Sequence, residues 1–194
     1  MMFRAALALA FLLLLAACSD GETWHMTNIT GAMPPLEFRM MRARDGADVG
    51  ADAYQGRIVI LYFGYTHCPD ICPTTLANLS DVLERLGPAR SQVRALFVTV
   101  DPDRDTLAIL DDYTKAFAPE IDGLRGTDDA LAALARRYRV AFGVTPAQDG
   151  KPYTVMHSDA VFFFDKTGRA RLVTTSTADT VAIAEDVKRL LEER

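Results

Sequence analysis

Cys68 and Cys72 are the side chains in this chain best placed to do chemistry. They stand in the run Gly64-Tyr65-Thr66-His67-Cys68-Pro69-Asp70-Ile71-Cys72-Pro73. A thiolate is both a nucleophile toward disulfides and a ligand for soft metals. Dithiol redox motifs usually carry two residues between the cysteines; here there are three. Residues four apart on a regular helix hold their Cβ atoms about 5–6 Å apart. A disulfide wants them within roughly 4.5 Å. A disulfide between Cys68 and Cys72 therefore needs local bending, whereas an ion bridging two sulfurs tolerates the gap. Redox and metal chemistry both stay open on the pair alone.

The elements around the pair say where it must sit. Ile58–Phe63 is an unbroken β-prone apolar run, suited to a strand buried on both faces. After the Cys run, Leu76, Leu79, Val82, Leu83 and Leu86 recur at helical spacing, and Gly87-Pro88 stops the helix. Pro73 disfavours helical geometry at Cys72, which puts the helix start near Pro73 or after an irregular turn from Pro69. Thiols at this strand-to-helix junction face orphan N–H groups and the helix dipole, which favour the thiolate.

Val93–Val100 reads as a second buried strand. A helix capped by Asp105 or Thr106 runs to about Phe117, and Thr127 caps another through Arg137. Ala160–Phe164 and Arg169–Thr174 flank the turn Asp165-Lys166-Thr167-Gly168 as a β-hairpin. Thr177 caps a final helix. Leu36–Arg44 before Asp45-Gly46 reads as a strand entering a turn, an N-terminal hairpin extension. The expected fold is α/β and thioredoxin-like: a central mixed sheet flanked by helices, with the Cys pair directly after the first buried strand.

That arrangement singles out His157. The loop entering the late hairpin faces the Cys pair in folds of this type and usually carries a proline. Here it reads Thr154-Val155-Met156-His157-Ser158-Asp159, with an imidazole in the region where the proline is expected. Two thiolates and one imidazole favour Cu(I), Cu(II) or Zn(II). Structural zinc usually takes four protein ligands, so a three-ligand site suits copper that must later leave. His67, beside Cys68, is expected as a neighbour of the ligands rather than a ligand. Met156 is a soft donor expected to pack instead. Asp101, opening the loop Asp101-Pro102-Asp103-Arg104-Asp105-Thr106, either orients a ligand at the same sheet edge or pairs with Arg104 inside a capping loop. His25 carries no expected role.

The chain has 194 residues, 49% of them hydrophobic, and a net charge of −5. That fits one domain plus an appendage. A mildly acidic chain with no basic run is a poor binder of nucleic acid. Ala5–Ala17 is an apolar run after Arg4, short for a spanning helix, and it ends Leu15-Ala16-Ala17-Cys18. Small residues before Cys18 resemble the lipobox of bacterial lipoproteins, which implies a leader over 1–17 and a diacylglycerol on Cys18. Residues 18–35 then read as a membrane tether and 36–194 as the functional domain, on the periplasmic side of the bacterial envelope.

The motifs together resemble the SCO/SenC family. The resemblance rests on Phe63–Leu76, on Val100-Asp101-Pro102-Asp103-Arg104-Asp105-Thr106, and on His157-Ser158 before an aromatic-rich strand. It implies copper held by Cys68, Cys72 and His157, and assistance in assembling the dinuclear copper site of cytochrome c oxidase. Implied partners are the copper-receiving oxidase subunit, another periplasmic copper chaperone or a thioredoxin-like reductase. The alternative within the family is a thiol–disulfide oxidoreductase acting on the recipient's cysteines through Cys68 and Cys72. Leu107 and Met156 depart from the common pattern, where Pro and Asp are frequent. The Met156 departure bears on the surroundings of the metal.

Overall fold

The computed structural model describes residues 23–147 and 153–193. The leader and Cys18 lie outside them. The strands are β1 (Thr27–Asn28), β2 (Arg39–Arg42), β3 (Asp48–Gly50), β4 (Ile58–Gly64), β5 (Val93–Thr99), β6 (Ile121–Arg125), β7 (Phe142–Thr145), β8 (Thr154–His157), β9 (Val161–Phe164) and β10 (Ala170–Thr174). The helices are α1 (Ile71–Arg85), α2 (Leu107–Lys115), α3 (Asp128–Arg137) and α4 (Thr180–Glu192).

The main sheet runs β1-β10-β9-β4-β5-β6-β2-β3, and β7 and β8 form a separate two-stranded sheet. β4, β5 and β6 are parallel, while β9 joins β4 antiparallel. The sheet is therefore mixed and the architecture thioredoxin-like, as the element order implies. Every residue of β4 is buried, which explains why its sequence shows no polar alternation. α1 turns Leu76, Leu79, Val82 and Leu83 into the core and packs along α4.

Three features differ from the sequence reading: β6, the β7–β8 hairpin and the cap of α4. β6 was not expected, because Asp122 and Gly123 are poor strand residues. Both are there for contacts made far along the chain. The Tyr54 hydroxyl donates to Asp122 at 3.0 Å, and a Cβ on Gly123 would stand 2.6 Å from Leu110 Cγ. The β7–β8 hairpin was not expected either. α4 is capped by Asp179, whose side chain accepts from the Ala182 amide, and not by Thr177. Thr177 instead accepts from Asn78 Nδ2. α1 starts at Ile71, just after Pro69-Asp70, in line with the start after an irregular turn from Pro69. A proline in the first helical turn removes only an N–H that has no helical acceptor.

Residues 23–35, read as part of a tether, lie against the domain. β1 pairs with β10. The backbone amides of His25 and Met26 both donate to the fully buried carboxylate of Asp186 on α4.

Candidate metal centre

β4 delivers the chain to the site through Gly64, and α1 carries it away. Gly64 touches its surroundings so closely that a Cβ there would lie 2.8 Å from Cys72 Sγ and 2.5 Å from Phe97 Cε2. Cys68 is half-buried in the loop; Cys72 is fully buried in the first turn of α1. Asp70, the residue before that helix, makes no side-chain cap. The Cys72 amide, an orphan donor of the first turn, instead donates to Cys68 Sγ at 3.4 Å.

Both sulfurs are free thiols. Burial pushes the Cys72 thiol up to about 12, against a smaller opposing effect from hydrogen bonds that include the Tyr62 hydroxyl. At Cys72 desolvation outweighs the pull of the helix-terminal N–H groups toward the thiolate. A cation arriving between the sulfurs supplies the missing counter-charge and displaces the proton.

His157, at the end of β8, brings the third donor. Its Nε2 lies 3.2 Å from Cys72 Sγ. Its Nδ1 lies 2.9 Å from the Ser158 carbonyl oxygen. A carbonyl only accepts, so Nδ1 carries the hydrogen and the Nε2 lone pair points at the sulfur. The ring is walled edge-on by Tyr62 and Tyr65, with centroids at 6.0 and 5.8 Å. The two sulfurs and one ring nitrogen all lie within 4.8 Å of one another. Ions of this class bind sulfur at about 2.3 Å and imidazole nitrogen at about 2.0 Å. Such donors on one ion stand roughly 3.5–3.7 Å apart in tetrahedral or trigonal geometry. The S···N separation found, 3.2 Å, needs only a small widening.

The other residues singled out from sequence sit around this group, not in it. His67 turns to the Thr66 hydroxyl, with its Nδ1 3.8 Å from Asp105. Asp101 accepts from Arg104 Nε and from the Tyr153 hydroxyl; it touches neither sulfur nor imidazole. Thr106, not Asp105, caps α2, through the Ile109 amide. Asp105 is fully buried and accepts from the Thr66 amide, the Thr66 hydroxyl and the Thr99 hydroxyl. That carboxylate ties the start of the Cys loop to the end of β5. Met156 does not pack: it is 68% exposed on the face of β8 opposite to His157.

Sequence reasoning missed Tyr62, Tyr65 and Asp105 as the groups that hold the ligands. For Tyr62 a signal existed, since an aromatic in a fully buried strand must face something. Asp105 carried none, because its partners come from two other segments.

Fold and site together define a thioredoxin-like protein with a dithiol–imidazole group whose donor atoms could hold a metal ion. The SCO1/SenC family description matches residues 35–192, and the chain belongs to that family. It is 34% identical to the mitochondrial SCO2 homolog of Mus musculus over 174 residues, 86% of this chain and 67% of that protein. The Bos taurus homolog is 39% identical over 134 residues, and there the match spans 50% of the relative. The chain thus covers half to two thirds of the length of these curated relatives. Among solved structures it resembles Bradyrhizobium japonicum ScoI with copper bound: TM-score 0.73, 35% identity, 81% of this chain and 99% of that one. It also resembles apo Sco1 from Thermus thermophilus: TM-score 0.78, 32% identity, 89% of this chain and 100% of that one.

Proposed function

We propose that the chain is a copper metallochaperone, with Cys68, Cys72 and His157 as the ligands and copper as cargo. The observation that carries this is the convergence of the two sulfurs and a ring nitrogen of His157 within 4.8 Å of one another, with Nε2 3.2 Å from Cys72 Sγ. A dithiol reductase has no need of that third donor. The similarity to ScoI with copper bound supports copper over zinc, as does the donor set.

On binding, the two thiols give up their protons and form Cu–S bonds, and the imidazole completes the set for Cu(II). Cys72 is sealed, so the approach is from the Cys68 side. Partner thiolates add to the copper there one after another, the Cu–S bonds to Cys68 and then Cys72 and the bond to the His157 imidazole break in exchange, and the ion passes across without changing oxidation state. The recipient inferred from the family is the copper-receiving subunit of cytochrome c oxidase. The chain works at the periplasmic face of the bacterial envelope, held by lipid on Cys18. The apolar run before Leu15-Ala16-Ala17-Cys18 supports this. Among the described residues no helix is long and apolar enough to cross a membrane.

The test is titration of the reduced protein with Cu(II), followed by the thiolate-to-Cu(II) charge-transfer band. Cys68→Ser and Cys72→Ser should abolish the band. His157→Ala should weaken Cu(II) binding strongly while leaving reduction of a disulfide substrate largely intact. If His157→Ala binds Cu(II) like the parent, the three-ligand site is wrong and a dithiol reductase takes its place.

A further inference from the structure

His157 is not carried by the main sheet. It sits at the end of the β7–β8 hairpin, a two-stranded sheet that pairs with no other strand among the described residues. Such a pair is marginal unless side chains hold it. Tyr65 takes one grip, its ring packing edge-on against His157 at 5.8 Å. The larger grip comes from the loop after β5. Arg104 Nη1 donates to the Tyr153 carbonyl at 3.1 Å. Its guanidinium carbon stands 3.8 Å from the centroid of the Tyr153 ring. Arg104 Nε donates to Asp101, and the Tyr153 hydroxyl donates to the same carboxylate at 2.8 Å. The guanidinium also lies 5.7 Å from the Tyr65 ring, which itself packs edge-on to His157. Arg104, Asp101 and Tyr153 therefore close a ring of contacts at the root of β8, four residues before the ligand.

We propose that Arg104 is a positioning residue for His157: it latches the hairpin so that the imidazole is held ready over the thiols. This rests on the copper reading above and deepens it. The latch bears chiefly on the ligand that comes from the hairpin, its contact with the Cys loop being the longer one to the Tyr65 ring. The thiols sit on α1 and its preceding loop, anchored through Asp105 and Gly64 instead. Arg104 thus sets the preference between oxidation states. Cu(II) needs the imidazole, whereas two thiolates alone satisfy Cu(I). A lysine cannot replace the arginine, because one ammonium cannot reach Asp101 and the Tyr153 carbonyl while also stacking on the ring. Opening the latch lowers the fraction of protein with the imidazole in place, and apparent Cu(II) affinity falls by that fraction.

The experiment uses the full chain in detergent, with Arg104→Lys, Arg104→Ala, Tyr153→Phe, His157→Ala and the Arg104→Ala/His157→Ala double variant. Cu(II) affinity is read from the charge-transfer band and Cu(I) affinity by competition with a chromophoric chelator. Hydrogen exchange of the β7–β8 amides is read on the copper-free protein. Arg104→Ala and Arg104→Lys should lose about tenfold or more in Cu(II) affinity, with Cu(I) affinity changed less than about threefold. Hairpin amides should exchange faster while those of β4 and β5 do not, with Tyr153→Phe intermediate. In the His157→Ala background the Arg104 change should cost nothing further toward Cu(II). Equal losses for Cu(I) and Cu(II), additive losses in the double variant, or unchanged hairpin exchange would each overturn the latch. If the parent protein fails to bind Cu(II), the copper reading fails, and the exchange data still decide whether Arg104 holds the hairpin.

Discussion

Gly64→Ala is the smallest change that tests whether packing sets the position of the Cys72 sulfur. The added methyl would start 2.5 Å from Phe97 Cε2, 3.0 Å from Phe97 Cζ and 2.8 Å from Cys72 Sγ. Non-bonded carbons prefer about 3.5–4.0 Å, so the ring must retreat by roughly 1 Å and the sulfur by roughly 0.7 Å or more. Neither has room. Phe97 is fully buried between the Tyr62 and Tyr113 rings, at 5.9 and 5.6 Å, and Cys72 is fully buried. Overpacking of this kind costs about 1–3 kcal/mol. The lower entropy of the unfolded chain returns about 0.4–1 kcal/mol of that. A net loss of about 1–2 kcal/mol should appear in urea denaturation of the reduced, copper-free protein, as a lower midpoint with unchanged slope. The displaced sulfur should also shift the Cu(II) charge-transfer band. Gly143→Ala is the control: it lies on the hairpin beside the site, yet a Cβ there meets nothing within 4 Å. If Gly64→Ala matches the parent in midpoint and spectrum, the junction of β4 and α1 is not tight and the sulfur is positioned by something else.

Two more perturbations bear on the same junction. Cys72 is raised from 9.0 to about 12 by burial, so the unfolded chain loses that proton first as pH rises. Its stabilising contribution is complete below pH 9 and is lost between there and the folded value. Copper-free stability should fall by about 1.4 kcal/mol from pH 8 to pH 10 on this account, and urea midpoints for Cys72→Ala should be flatter over that window; parallel curves for the two proteins refute the assignment. Asp105→Ala leaves the Thr66 amide and two hydroxyls without their buried acceptor, a loss of about 2–4 kcal/mol. A thermal midpoint within about 2 °C of the parent would be too small for that loss.

What could be read from the residues, and what could not, divides along a physical line. β4, β5, β9, β10 and the four helices carry their pattern locally. Runs such as Ile58–Phe63 and the spacing Leu76-Leu79-Val82-Leu83 report burial by themselves. β6 was hidden because Asp122 and Gly123 answer to Tyr54 and Leu110, not to their neighbours. The β7–β8 hairpin was hidden because it packs on side chains from elsewhere and keeps Val144 and Met156 in solvent, so its sequence shows no strand-like alternation. The candidate ligands were legible for the opposite reason. A thiol pair at a strand-to-helix junction and an imidazole at the loop facing it are recognisable by type and place.

The groups that aim those donors are spread over three segments, namely the loop with Asp101, Arg104 and Asp105, the end of β4 and the Cys loop with Tyr62 and Tyr65, and Tyr153. Each is an ordinary residue until the chain is folded. Metal affinity depends on both sets, yet only the donors announce themselves in one dimension. A relative that keeps Cys68, Cys72 and His157 but loses Arg104 or Tyr153 should therefore keep the Cu(I) site and lose much of the Cu(II) site. Geometry imposed by the second set is what separates the two oxidation states.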